Sequence, residues 1–215
     1  MNKIDNNINQ FNIFNKIISL CYMRILLDNG HGTYSKQGSP DGRIKEYVYT
    51  RELVKIIAEK LRALNYDVDI ITPEEADISL ATRVNRANAI CKKYGKNNCL
   101  FISVHCNASG SDGKWHSASG WTEWIYTKAG ENSKKLAQCL YAQAEKYGLQ
   151  GNRSVPSCKY WTANYYVCRY TSCPAVLTEN LFQDNKDDVE YMLTKEGKET
   201  LANIHVNGIL AYLKK

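Results

Sequence analysis

Met23-Arg24-Ile25-Leu26-Leu27-Asp28-Asn29-Gly30-His31-Gly32 is the stretch that decides the fold. Its short apolar run has the length of a buried strand. It stops on a carboxylate, two glycines and a histidine, and the glycines let the backbone turn tightly and pass close to a ligand. Working outward, Val68–Ile71, Leu100–Val104 and Ala175–Leu177 repeat the apolar run. Gly120–Tyr126 and Tyr165–Tyr170, rich in aromatic and β-branched residues, are further strand candidates. Helical patterns lie between them near 46–65, 80–94, 132–147 and 195–213. This alternation predicts an α/β fold: a single layered domain with a mostly parallel twisted sheet flanked by helices on both faces.

Composition narrows the classes. A chain of 215 residues, 44% hydrophobic and 23% charged, can bury a full core, which excludes a disordered or collagen-like protein. The formal charge of +6 is scattered and reads as solvated lysines, so no nucleic-acid partner is expected. No run of 18 apolar residues occurs, so no transmembrane segment is expected. Seven of the eight cysteines, Cys91, Cys99, Cys106, Cys139, Cys158, Cys168 and Cys173, sit mostly in apolar runs without a Cys-x-x-Cys pair. Free buried thiols are expected, with a disulfide among Cys158, Cys168 and Cys173 as the open alternative.

Residues 1–22 differ from the rest, with six Asn among the first sixteen. Their apolar stretch from Phe11 to Tyr22 is broken by Asn12, Asn15 and Lys16, and no small-residue cleavage site follows. An N-terminal extension is expected here, disordered or upstream of a true start at Met23, with synthesis in the cytoplasm and one folded domain over 23–215.

Chemistry-bearing residues gather where α/β sheets keep their ligands, at the carboxyl ends of strands. His31 follows the first strand, His105 follows Leu100–Val104, and Glu179 follows Ala175–Thr178. At about 100° per residue, Glu46 shares the face of Thr50, Leu53, Ile57 and Leu64 at the start of its helix, whereas Glu52 and Glu59 point to solvent. Glu46 is then either a helix-start carboxylate favoured by the dipole or a metal ligand. Two imidazoles and a carboxylate would leave a fourth zinc position open for water, with Glu179 as general base. The residues alone leave the structural and the metal readings in balance. A Cys106 thiol nucleophile is disfavoured, because adjacent extended residues such as His105 and Cys106 face opposite ways.

Four stretches in order resemble the Amidase_3 family of zinc-dependent N-acetylmuramoyl-L-alanine amidases: Leu27–Gly32, Gly42–Glu46, Ser103–Ala108 and Cys173–Glu179. Leu80-Ala81-Thr82-Arg83, followed by Ala87-Asn88, is a further match. The resemblance covers about 23–215. It implies one Zn2+ on His31, Glu46 and His105, Glu179 as catalytic acid/base, and peptidoglycan as partner. The reaction implied is hydrolysis of the amide between N-acetylmuramic acid and L-alanine. Departures are Asn29 where the family often has Pro, Thr33 where it has Gly, and Asn180-Leu181-Phe182 where it has Gly-Phe. The competing functions are a zinc peptidase acting on stem peptides and a non-catalytic wall-binding module. Trp115, Trp121, Trp161 and Tyr165 are candidates for a substrate groove, while His116 reads as solvated and His205 as structural. A monomer is expected, acting on the cell wall as a phage or prophage lysis enzyme of the endolysin kind.

Overall fold

The computed structural model describes residues 23–214; the expected extension over 1–22 lies outside them, as does Cys21. Six strands form one sheet in the order β2-β1-β3-β6-β4-β5. They are β1 (Arg24–Asn29), β2 (Asp67–Ile70), β3 (Cys99–Asn107), β4 (Thr122–Tyr126), β5 (Trp161–Ala163) and β6 (Ala175–Phe182). The helices are α1 (Glu46–Ala63), α2 (Leu80–Tyr94), α3 (Glu131–Lys146), α4 (Tyr166–Tyr170), α5 (Lys186–Leu193) and α6 (Lys195–Leu213). β2, β1, β3 and β6 are mutually parallel, while β4 runs antiparallel to β6 and carries β5 parallel to itself. This is the layered α/β domain expected from the alternation.

Side-chain alternation along the strands divides the core in two. Ile25, Leu27, Leu100, Ile102, Val104 and Val176 pack against α1, α3 and α6 on one face. Leu26, Phe101, Ala175 and Leu177 pack against α2 and α4 on the other. Helix α1 buries Glu46, Thr50, Leu53 and Ile57 together, as its spacing predicts, and leaves Glu52 and Glu59 exposed. Leu64 departs from that face: it is the carboxyl cap, beyond the last helical turn, and stands 49% exposed.

Tyr165–Tyr170 is not a strand. Its burial lacks the alternation of a strand: Val167 and Cys168, adjacent in sequence, are both buried against α2 and β6, while Tyr166, Arg169 and Tyr170 are exposed. It forms α4 instead, with the Tyr166 and Tyr170 rings 4.5 Å apart across one turn. Helix α5 is not among the helices expected from periodicity, although Asn185 marks its start by accepting from Asp188 N at 3.1 Å.

Candidate active site

The carboxyl ends of β1, β3 and β6 open into a cleft of about 500 Å³ that holds His31, His105 and Glu179. On the loop after β1, His31 lies in the left-handed region at φ 59. A non-glycine residue held there stores about 1–2 kcal/mol, so the loop must be held from outside. Two arginines hold it. Arg83, from α2, donates to Asn29 O and to His31 O (3.0 Å). Arg51, from α1, donates to His31 O at 3.2 Å and Glu74 O at 2.7 Å. Thr50 Oγ1 adds a bond to Gly30 O at 3.2 Å. Arg83 and Asp28 form a buried ion pair at 2.8 Å, and Asp28 also accepts from Ser103 Oγ (2.7 Å) and Thr72 Oγ1 (3.1 Å). The motif that contains Arg83 gives no hint of this task, and Arg51 carries no signal in the sequence.

Two of the three departures from the family pattern, at Asn29 and at Asn180-Leu181-Phe182, have local explanations. Asn29 Nδ2 donates to Thr72 O at 2.5 Å, joining the end of β1 to the residues after β2. His105 faces Glu179 across the β3–β6 ladder, but Asn107 faces Phe182, so β6 carries an extra residue in a bulge. Leu181 takes the left-handed conformation there at φ 66, and Asn180 Nδ2 donates to His105 O at 2.8 Å.

Glu46 begins α1 beneath the two histidines and is 1% exposed. Its Oε1 lies 3.2 Å from His105 Nδ1 and 3.4 Å from His31 Nε2, and accepts from Cys106 N at 3.0 Å. Its Oε2 accepts from Gln183 Nε2 at 2.9 Å. Gln183 carries no signal in the sequence, since only the turn after β6 brings it to α1. The imidazole rings are 5.1 Å apart, edge to face. Burial works against the Glu46 charge, but hydrogen bonds and attraction from His105 and His31 outweigh it and hold the carboxyl well below the usual range. Burial likewise opposes the charged form of His31, and the bond to Glu46 prevails and raises its pKa.

These three side chains fit a zinc ion. One atom from each lies within 4.8 Å of the others, and no other such group of His, Cys, Asp or Glu occurs among the described residues. Tetrahedral bonds of about 2.0–2.1 Å imply ligand separations of about 3.3 Å, close to those observed. Gly30 makes the close approach possible, because a Cβ there would lie 2.6 Å from His105 Nδ1.

Glu179 stands beside this group, partly buried, with Oε2 out of solvent and without a hydrogen-bond partner. Burial and the Glu46 charge push its carboxyl well above the usual range. A family model described as N-acetylmuramoyl-L-alanine amidase, Amidase_3, matches residues 25–211. The chain belongs to the Amidase_3 family. It is 30% identical over 200 residues to the endolysin of Bacillus phage SPP1, covering 88% of this chain and 65% of that protein. It is 28% identical over 189 residues to an N-acetylmuramoyl-L-alanine amidase of Bacillus licheniformis, covering 87% and 67%. This chain thus spans about two thirds of these relatives' lengths. The crystal structure of an N-acetylmuramoyl-L-alanine amidase from Clostridium difficile 630 superposes with a TM-score of 0.76 at 25% identity, covering 90% of this chain and 97% of that one.

Among the aromatics singled out in this Amidase_3 domain, Tyr165 lines the cleft. Trp121 is fully buried, and Trp115 and Trp161 pack against the core behind the sheet. Cys106 is buried on the opposite face from the cleft, where burial, Glu46 and Glu179 raise its thiol pKa, so it is no nucleophile. His116 pairs with Asp112 at 2.9 Å in a surface loop. All seven cysteines among the described residues are free, including Cys158, Cys168 and Cys173. None of the described helices is long and apolar enough to cross a membrane.

Proposed function

We propose that this domain hydrolyses the amide joining N-acetylmuramic acid to L-alanine in peptidoglycan, with His31, Glu46 and His105 holding one zinc ion and Glu179 as acid/base. The observation that carries the proposal is the convergence of two imidazoles and a buried carboxylate beside an unpartnered Glu179. When bound, zinc supplies Lewis acidity toward the scissile carbonyl and lowers the pKa of water. The chain's own residues do the rest. Cys106 N and Gln183 brace Glu46 so that its Oε1 faces both imidazoles, presenting the three groups to one ion. Arg83 and Arg51 hold the His31 backbone in its strained state. Glu179 has an Oε2 without a hydrogen-bond partner at the edge of the cleft, free to accept a proton. It takes the proton of the attacking water, and the acid so formed returns that proton to the leaving alanine nitrogen. Likeness to a phage endolysin supports a lysis role at the cell wall, which forms part of the same proposal.

The test is mass spectrometry of purified peptidoglycan after digestion by the zinc-loaded protein, with Glu179→Ala alongside. Stem peptides with a free L-alanine amino terminus, released only by the parent, are expected. Cuts within the stem would replace the amidase by a zinc peptidase. No cleavage by a zinc-loaded parent would leave a wall-binding module.

A further inference from the structure

Three thiols meet under α2 at the amino end of the sheet, away from the cleft. Phe101 of β3 lies opposite Ala175 of β6, and Phe101 N donates to Pro174 O at 2.8 Å. Cys99 opens β3 and Cys173 lies two residues before β6, and both pack on the face that α2 covers. Asn88 pins α2 to this segment: its Nδ2 donates to Tyr170 O at 2.9 Å, and its Oδ1 accepts from Ser172 N at 2.8 Å. Cys91 follows three residues later on the same helix face. Cys91, Cys99 and Cys173 pack in one buried cluster, in which Cys173 acts most strongly on the Cys91 thiol. Cys91, Cys99 and Cys173 are 3%, 1% and 6% exposed, and Cys173 borders a surface groove with Lys96, Lys128 and Arg169.

We propose that Cys91 and Cys173 form a modification site, a dithiol that hydrogen peroxide oxidises to an intramolecular disulfide joining α2 to the segment leading into β6. Peroxide is close to water in size, which suits an entry past Cys173 from the groove. The neighbouring Cys173 thiol lowers the pKa of Cys91, whereas burial raises Cys99 and the Cys91 thiol raises Cys173. Cys91 therefore supplies the thiolate, the form that attacks. Its sulfur displaces hydroxide from peroxide to give a sulfenic acid, and the hydroxide takes the proton Cys91 had released. The Cys173 thiol then attacks that sulfur, and its proton leaves with the hydroxyl as water. Two thiols and one peroxide become one disulfide and two waters. Cys99 is held inside the β3 ladder, whereas Cys173 precedes β6 and Cys91 lies in the last turn of α2, so these two have the freedom to close. Closing so long a loop constrains the unfolded chain, and an increase in melting temperature of about 5 °C is expected.

The experiment treats the folded full-length chain with hydrogen peroxide, alkylates remaining thiols in denaturant, and maps the peptides. A Cys91–Cys173 link is expected, with the melting temperature raised and restored by dithiothreitol. Cys99→Ser retains the link, and Cys173→Ser leaves Cys91 as a sulfenic acid that dimedone captures. The proposal is overturned if Cys91 and Cys173 of the parent both remain alkylatable while Cys158 oxidises, or if the link joins Cys99 to Cys173. The parent map needs no variant, so it decides the matter even where a substitution fails to fold.

Discussion

Thr178 and Glu179 are neighbours on β6, and they serve two histidine sites on opposite faces of the sheet. Behind the sheet, His205 of α6 is 0% exposed and both ring nitrogens are satisfied. Its Nδ1 donates to Leu201 O at 2.8 Å, so Nε2 carries the lone pair and accepts from Thr178 Oγ1 at 3.0 Å. Trp121 closes the site edge to face at 5.0 Å. Burial lowers the His205 pKa to about 4, which keeps it neutral and structural. At the cleft, His31 and His105 keep 35% and 19% of their side chains exposed and direct one nitrogen each at a single carboxylate oxygen. The difference teaches that a histidine's role follows from what its nitrogens face, more than from how deep it lies. Enclosure with matched partners yields a strut, while convergence on a shared anion at an open edge yields a ligand set.

Substitutions on the two faces should therefore separate chemistry from stability. The largest effect is expected at Glu179→Gln, which should lower kcat by about 10³-fold or more while zinc content stays at the parent level. A variant of nearly parental rate would remove Glu179 from the chemistry and break the contrast. Next, His105→Ala should weaken zinc binding by more than about 100-fold, the upper range for losing a group that merely orients a ligand. Chelator competition measures this, and an unchanged affinity would mean that His105 is no ligand.

His205→Ala should instead cost about 3 kcal/mol in urea unfolding, through a cavity and an orphaned Thr178 hydroxyl, with zinc affinity retained. A smaller effect attaches to pH. Because the folded His205 pKa lies below the unfolded value of about 6.5, the unfolded chain binds the proton first as pH falls. The stability from this group is intact above about pH 7 and declines toward about pH 4, by about 2 kcal/mol between pH 7 and 5. The parent should lose that increment over this window and His205→Ala should not; equal slopes would show that His205 is not kept neutral. The smallest effect is expected at His116→Ala, whose solvent-screened pair with Asp112 should leave the urea midpoint nearly unchanged.

The sequence by itself determined where the strands lie and which side of α1 Glu46 occupies. Both are local: an apolar run marks a buried strand, and helical spacing sets a face. His31 just after β1, with His105 and Glu179 in the last residues of β3 and β6, thus falls on one edge without reference to any contact, although β3 and β6 run on to Asn107 and Phe182 beyond their apolar runs. Tertiary structure alone decided what holds them there. Arg51 and Arg83 reach the His31 loop from two different helices, and Gln183 reaches Glu46 across 137 positions of chain. No short-range pattern encodes such partners, because hydrogen bonding between distant segments depends on how the layers stack. Tyr165–Tyr170 makes the same point in reverse. Its composition favours a strand, yet packing buries the adjacent Val167 and Cys168 together against α2 and β6, which a helical turn allows and strand alternation does not.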